Sequence, residues 1–144
     1  MTNQRQVHVR WLGGYRTEID IRGVHRLLGD EMPQFGGDDT GPMPTEMFLS
    51  SIASCLCLAV THIARKRRIE LATLEIEAHA AKDLEAFRFN QIHLQVRADL
   101  AADKLSRLVD QAKAYCFVSN TVLQGCEIEI ATESSSPAAA ESEP

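Results

Sequence analysis

Four cysteines, at positions 55, 57, 116 and 126, are the side chains of this sequence with the most chemistry to offer. A thiolate is a strong nucleophile, and its reactivity depends on what stabilises the charge on sulfur. Cys55 and Cys57 lie in PTEMFLSSIASCLCLAVTHIARK, Pro44 to Lys66, which carries no charge between Met47 and Val60. Positions two apart on a helix differ by about 200°. The two thiols therefore face opposite ways and cannot form a disulfide without unwinding the helix. At most one of them faces a site, and the other packs. A thiolate at Cys55, in mid-helix, gets no help from the helix dipole and needs a cation, for which Arg10, Arg16, Arg22 and Arg26 of the N-terminal segment are available. Cys116 is placed differently, at a helix break just before a short helical turn whose N–H groups favour a thiolate. Cys126 begins an alternating stretch, GCEIEI, and reads as a core residue. His62 shares a helix face with Cys55 but is about 10 Å away, too far to serve directly as its base. His8, His25, His79 and His93 fall in alternating segments with no metal-ligand spacing, and FGGDDTG is followed by Pro42 rather than by the Lys-Ser/Thr of a phosphate-binding loop.

The bulk properties narrow the classes of function. A chain of 144 residues suffices for one domain, and its 44% hydrophobic and 24% charged residues are ordinary for a soluble globular protein. A net charge of −5 argues against non-specific nucleic-acid binding. The opening MTNQRQVHVRW lacks the apolar core of a signal peptide, and Ser50, Ser51 and Ser54 interrupt the longest apolar run, leaving it too short to span a bilayer. The expectation is a cytoplasmic protein with no membrane segment, no disulfide framework and no structural zinc.

The elements that must position the thiols follow from periodicity and breakers. Residues 7–12 and 15–22 alternate on either side of Gly13-Gly14 and predict a hairpin, with a third strand over 24–31. Residues 32–44, rich in Gly, Pro and Asp, must be a loop. Pro44 suits the first turn of a helix reaching about Arg67, with Glu46 complementing its dipole. That helix is apolar nearly all round for four turns and should be buried on most sides, either threaded through the core or covered by a sheet and a second subunit. The basic end ARKRR suits the C-terminal dipole and solvent. Residues 69–83 and 87–100 predict paired antiparallel strands, 102–115 an amphipathic helix, 116–124 a short helical turn closed by Gly125, and 126–133 a last strand. The domain is expected to span 1–133, with an acidic, low-complexity, disordered tail over 134–144. The order is β-β-β-α-β-β-α-α-β, an α+β arrangement with helices on one face of antiparallel sheet.

Two motifs carry a resemblance. The spacing GG-x-x-x-G-P-x-P-x-E-x-F-L-x-S-x-x-S-C, Gly36 to Cys55, and YCFVSNTVLQG, residues 115–125, resemble the two cysteine motifs of the OsmC/Ohr family of osmotically inducible and organic hydroperoxide resistance proteins. The order of elements agrees from Val7 to Ala131. The resemblance implies the OsmC-like fold as an intertwined homodimer with buried central helices. It also implies a cofactor-independent peroxidase acting on organic hydroperoxides, with Cys55 as peroxidatic and Cys116 as resolving cysteine and an external dithiol as reductant. A hairpin arginine, Arg16 with Arg26 as its rival, and a glutamate at the start of the central helix would hold the thiolate. The chain departs from the family at that glutamate: counted back from Cys55 its place falls on Thr45, and Glu46 is one position late, a rotation of about 100°. Glu46 would lie about 13 Å from Cys55 along the helix and act only on the partner's site. Cys57 and Cys126 match no family role. The competing expectations are a non-catalytic dimer binding a small lipophilic ligand at the subunit interface, and a stable dimer with inert core thiols.

Overall fold

The computed structural model describes residues 3–136. Three strands, β1 (Val7–Gly13), β2 (Arg16–Ile21) and β3 (His25–Gly29), form an antiparallel meander in the order β1-β2-β3. Gly13 and Gly14 take φ of 103° and 58°, the left-handed backbone a tight hairpin needs and that glycine adopts without strain. The loop that follows contains one 3₁₀ turn, Pro33–Phe35. Helix α1 (Pro44–Lys66) crosses to the second sheet, β4 (Leu74–Asp83) paired with β5 (Arg88–Ala98) in the register Leu74↔Ala98. Helix α2 (Ala102–Ala112), a 3₁₀ turn (Lys113–Tyr115) and helix α3 (Phe117–Gln124) complete the ordered elements.

The core is built on α1. Leu56, Ala59, Val60, Ile63 and Ala64 recur at helical spacing and pack with Leu108 and Ala112 of α2 and with Cys116. Leu74 and Ile76 of β4, and Leu94 and Val96 of β5, close the cluster with every second residue of their strands. Within one chain α1 is buried along this single face. Leu58, on the opposite face, is 67% exposed. Of the two arrangements the sequence allowed, threading through the core is excluded. By length and composition its 23 residues would suffice to cross a membrane, contrary to the expectation drawn from the serine-interrupted run; here they form the central helix of the core.

The β1–β3 meander shares no packed face with this core. Val7, Val9 and Trp11 of β1 and Leu27 and Leu28 of β3 are exposed. The meander meets the rest of the chain where β3 runs into the first turns of α1, with the Met47 side chain against Gly29.

The ends differ most from expectation. Residues 126–133 are not a strand: they have no regular secondary structure, and Ile128 and Ile130 are 82% and 86% exposed. Their alternation is real, but among the described residues they pair with none of the chain's own strands. Cys126, read as core, is exposed. Strand β4 begins at Leu74 rather than near Ile69, because residues 72–73 turn onto Asp99, whose carboxylate accepts N–H bonds from Ala72 (3.1 Å) and Thr73 (2.9 Å). Of the acidic tail, residues 134–136 are irregular, and the expected disorder over 137–144 lies outside the described residues.

Candidate active site

Cys55 sits in the middle of α1 and is half-buried, packed against the cluster that contains Cys116. Cys116 is fully buried in that cluster. The fold thus brings the two motif cysteines into one apolar environment from opposite halves of the sequence. Cys116 occupies the joint between the 3₁₀ turn and α3. Its N–H bonds the Lys113 carbonyl (3.2 Å), its own carbonyl accepts from the Asn120 N–H (3.0 Å), and its backbone is extended, with φ −82° and ψ 92°. It is the residue on which the chain turns from one helical segment to the next. Its Sγ lies 2.8 Å from Ser119 Oγ, within hydrogen-bond reach. Ser119 is the serine of the Cys-x-x-Ser spacing and, among the described residues, the one polar side chain hydrogen-bonded to this sulfur; the motif contained it, but no role attached to it from sequence alone.

Cys57 is half-buried on another part of α1, outside the cluster with Cys116. Its carbonyl accepts a hydrogen bond from Thr61 Oγ1 (2.9 Å). His62 is exposed and packs against Tyr115 with the rings tilted by 54° and their centroids 5.7 Å apart. Among the described residues no three His, Cys, Asp or Glu side chains are grouped to hold a metal ion.

The charged candidates lie elsewhere in the single chain. Arg16 opens β2, is exposed, and forms no ion pair among the described residues. Its rival Arg26 reaches Asp20, 3.7 Å away on the neighbouring strand, and Arg10 pairs with Glu18 at 3.0 Å. Glu46 is taken up by the helix start: Met43 N–H donates to its Oε1 at 2.9 Å, the half of a capping box that satisfies an orphan donor of the first turn. Thr45 faces a cavity of about 280 Å³ lined by Lys82, Asp83, Leu84, Phe87, Arg88 and Phe89 at the far end of the β4–β5 hairpin. The departure from the family glutamate therefore falls in an apolar recess with two cations at its edge.

The loop that delivers the chain into α1 is tightly fixed. Asp30 is 1% exposed. Its carboxylate accepts from Thr40 Oγ1 (2.7 Å), Thr40 N–H (3.0 Å) and Glu31 N–H (2.8 Å). These bonds, the Thr40 hydroxyl foremost, hold its pKa down at about 2. Gly37 lies so close to the Glu31 carbonyl that a Cβ there would overlap it. Asp30, Glu31 and the GG-x-x-x-G-P residues thus build one knot that sets the start of α1.

Comparison with known proteins agrees with this architecture. Residues 36–131 match the family described as OsmC-like protein. A protein of Methanocaldococcus jannaschii, itself uncharacterised, is 28% identical over 131 residues; the match takes in 87% of this chain and only 65% of that longer protein. An organic hydroperoxide resistance protein of Legionella pneumophila superposes with a TM-score of 0.70 at 19% identity, over 85% of this chain and 90% of that one. An OsmC-like protein of Mycoplasma pneumoniae gives a TM-score of 0.71 at 16% identity, over 87% and 90%. For an organic hydroperoxide resistance protein of Bacillus subtilis the TM-score is 0.57 and the identity 27%, over 82% and 90%.

Proposed function

Since the chain belongs to the OsmC-like protein family, we propose that it is a thiol peroxidase reducing organic hydroperoxides through Cys55 and Cys116. The observation that carries this reading is the shared environment of the two sulfurs: half-buried Cys55 packs on the cluster in which Cys116 is fully enclosed. In the proposed cycle the Cys55 thiolate attacks the distal oxygen of ROOH. The O–O bond breaks, the alkoxide leaves and is protonated to ROH, and Cys55 becomes a sulfenic acid. The Cys116 sulfur then attacks the sulfenic sulfur, water departs, and a disulfide forms. An external dithiol restores both thiols by exchange and is itself oxidised to a disulfide. The apolar cluster in which Cys116 is enclosed and against which Cys55 packs favours an apolar R group.

The working unit in this proposal is a homodimer. Leu58 of α1, Phe117 and Leu123 of α3 and the alternating Ile128 and Ile130 are 67–86% exposed in one chain. A second subunit seated on these side chains would cover them. A second subunit would also bring a hairpin arginine to the half-buried Cys55, which the chain's own β1–β3 meander does not pack against. Arg16, with no ion-pair partner among the described residues, is the arginine better placed for that role, whereas Arg26 is engaged by Asp20. No role in catalysis is assigned to Glu46, whose carboxylate is held by the cap.

The test is stopped-flow oxidation of the reduced protein by cumene hydroperoxide, with thiols counted and the oxidised chain mapped. One equivalent should consume two thiols and give a Cys55–Cys116 disulfide. Cys55→Ser should abolish turnover and Cys57→Ser should leave most of it. Sulfinic acid at Cys55 with Cys116 free would refute the two-cysteine cycle. A second reading, a non-catalytic dimer that holds a small lipophilic ligand, is favoured by Thr45 in the glutamate's place beside Leu84, Phe87 and Phe89; unreactive thiols in the same assay would install it.

A further inference from the structure

The β4–β5 register sets two histidines face to face. His79 pairs with His93. Their spacing in the sequence says nothing of a shared site; only the pairing of the strands joins them. Ala78 and Ala80 on one side chain's flanks, and Ile92 and Leu94 on the other's, are half-buried, so the alternation puts both imidazoles on the solvent face, where they are exposed. Directly opposed residues have Cβ atoms about 4.5–5.5 Å apart, close enough for two imidazoles to converge on one ion. With nothing between them the pair is unfavourable, since two protonated rings repel across the strands. Neutral, each ring offers a lone pair, and imidazole suits the ions of zinc, copper and nickel. A second feature fixes one ring. His79 Nε2 lies 3.3 Å from Glu77 Oε1. The other carboxylate oxygen of Glu77 accepts from Arg97 Nη1–H at 3.2 Å, a bond that crosses between the strands. A metal-binding histidine commonly gives its second N–H to a carboxylate, which sets the tautomer and the ring plane. With Nε2–H turned to Glu77, His79 keeps Nδ1 as an acceptor.

We propose that His79 and His93 bind a divalent transition-metal ion of the Zn²⁺ class on the solvent face of the β4–β5 hairpin, with Glu77 as the positioning residue for His79. Two protein nitrogens leave the other positions to water, so this is an open site and not the closed four-ligand site of a structural zinc. That agrees with the absence, among the described residues, of any three His, Cys, Asp or Glu side chains grouped around one point. The ion ties β4 to β5 across their solvent face. Ile76, Leu94 and Val96, on the opposite face, pack on the cluster that encloses Cys116. Binding is therefore separate from the thiols and stands or falls apart from the peroxidase reading.

The experiment is a Zn²⁺ titration of the reduced, full-length protein, followed in two-bond ¹H–¹⁵N spectra of the imidazole rings, which read each histidine apart from the four thiols. The rings of His79 and His93 should shift together along one saturation curve. The metal should sit on Nδ1 of His79 while Nε2 keeps its proton. Mg²⁺, which takes oxygen ligands, should shift neither ring. His93→Asn should leave the His79 ring unshifted at the Zn²⁺ concentration that saturates the native pair. Glu77→Gln should weaken binding about tenfold and let the metal take either nitrogen of His79. All three side chains are exposed, so these substitutions leave the core untouched. Shifts at one ring only, two independent curves, an equal response to Mg²⁺, or unchanged saturation of His79 in His93→Asn would each overturn the metal site. Unchanged affinity and an unchanged zinc-bound nitrogen in Glu77→Gln would overturn the role of Glu77.

Discussion

Replacing Ser119 by Ala removes the one polar partner of the Cys116 sulfur. The Oγ–Sγ distance of 2.8 Å makes this a short, partly buried contact to a fully enclosed sulfur. If Cys116 attacks a Cys55 sulfenic acid, negative charge must sit on its sulfur, and a donating hydroxyl stabilises that charge while holding the sulfur in one orientation. A hydrogen bond to a charged group contributes about 1.5–3 kcal/mol. Spent on the barrier of the second step, that is a slowing of about 13- to 160-fold. The first step, peroxide attack by Cys55, should not change. Rapid quench with a sulfenic-acid trap, followed by mass spectrometry of the Cys55 peptide, separates the two steps. Ser119→Ala should show an unaltered rate of thiol loss, a longer-lived sulfenic acid and, at excess peroxide, more sulfinic acid. Unchanged disulfide formation would show that the hydroxyl does nothing for resolution. A slower first step would show that Ser119 acts on Cys55, against the assignment made here.

Three further outcomes follow from particular contacts. Leu108 is 2% exposed in the wall behind Cys116, so Leu108→Ala should destabilise the fold by about 3 kcal/mol in urea unfolding; a loss under about 1 kcal/mol would mean the wall collapses freely onto the cavity. The Asp30 carboxylate, its pKa lowered from 3.8 to about 2, stabilises the loop fully above pH 3.8 and ceases to as pH falls towards 2; hydrogen exchange at Thr40 should accelerate across that window, and Asp30→Asn should exchange rapidly throughout and without that step. Arg16→Ala should slow alkylation of Cys55 by iodoacetamide more than Arg26→Ala does, and the reverse order would move the cation's role to Arg26.

Much of the frame was legible in the sequence because it rests on local rules. Gly13-Gly14 fixed the hairpin through the positive φ that only glycine takes easily, and Pro44 with Glu46 marked the start of α1 through its orphan N–H groups. The two cysteine motifs were legible as motifs, and Cys55 packs against the cluster that encloses Cys116. What failed depends on partners far along the chain. The alternation of residues 126–133 states a preference for strand but not whose edge will receive it. Cys126 followed that pattern into a core where it does not sit. Likewise Asp99 decides where β4 begins, and nothing around Ile69 announces it. Glu46 was legible as a helix-start residue and, separately, as a departure from a family position; its hydrogen bond to Met43 favours the first.

The separation of the β1–β3 meander from the helical core has a kinetic meaning. Every pairing in the meander joins neighbouring strands across two tight turns, so its contacts are as short-range as a sheet allows, and hairpins of this sort close within about 1–10 μs. The core waits on the chain as far as Cys116, because α1 is covered only when α2 has arrived. During synthesis the meander is therefore finished first, and it emerges with Val7, Val9 and Trp11 facing water. An interval opens in which a completed sheet with an uncovered apolar face precedes the helices, and it lengthens as translation slows.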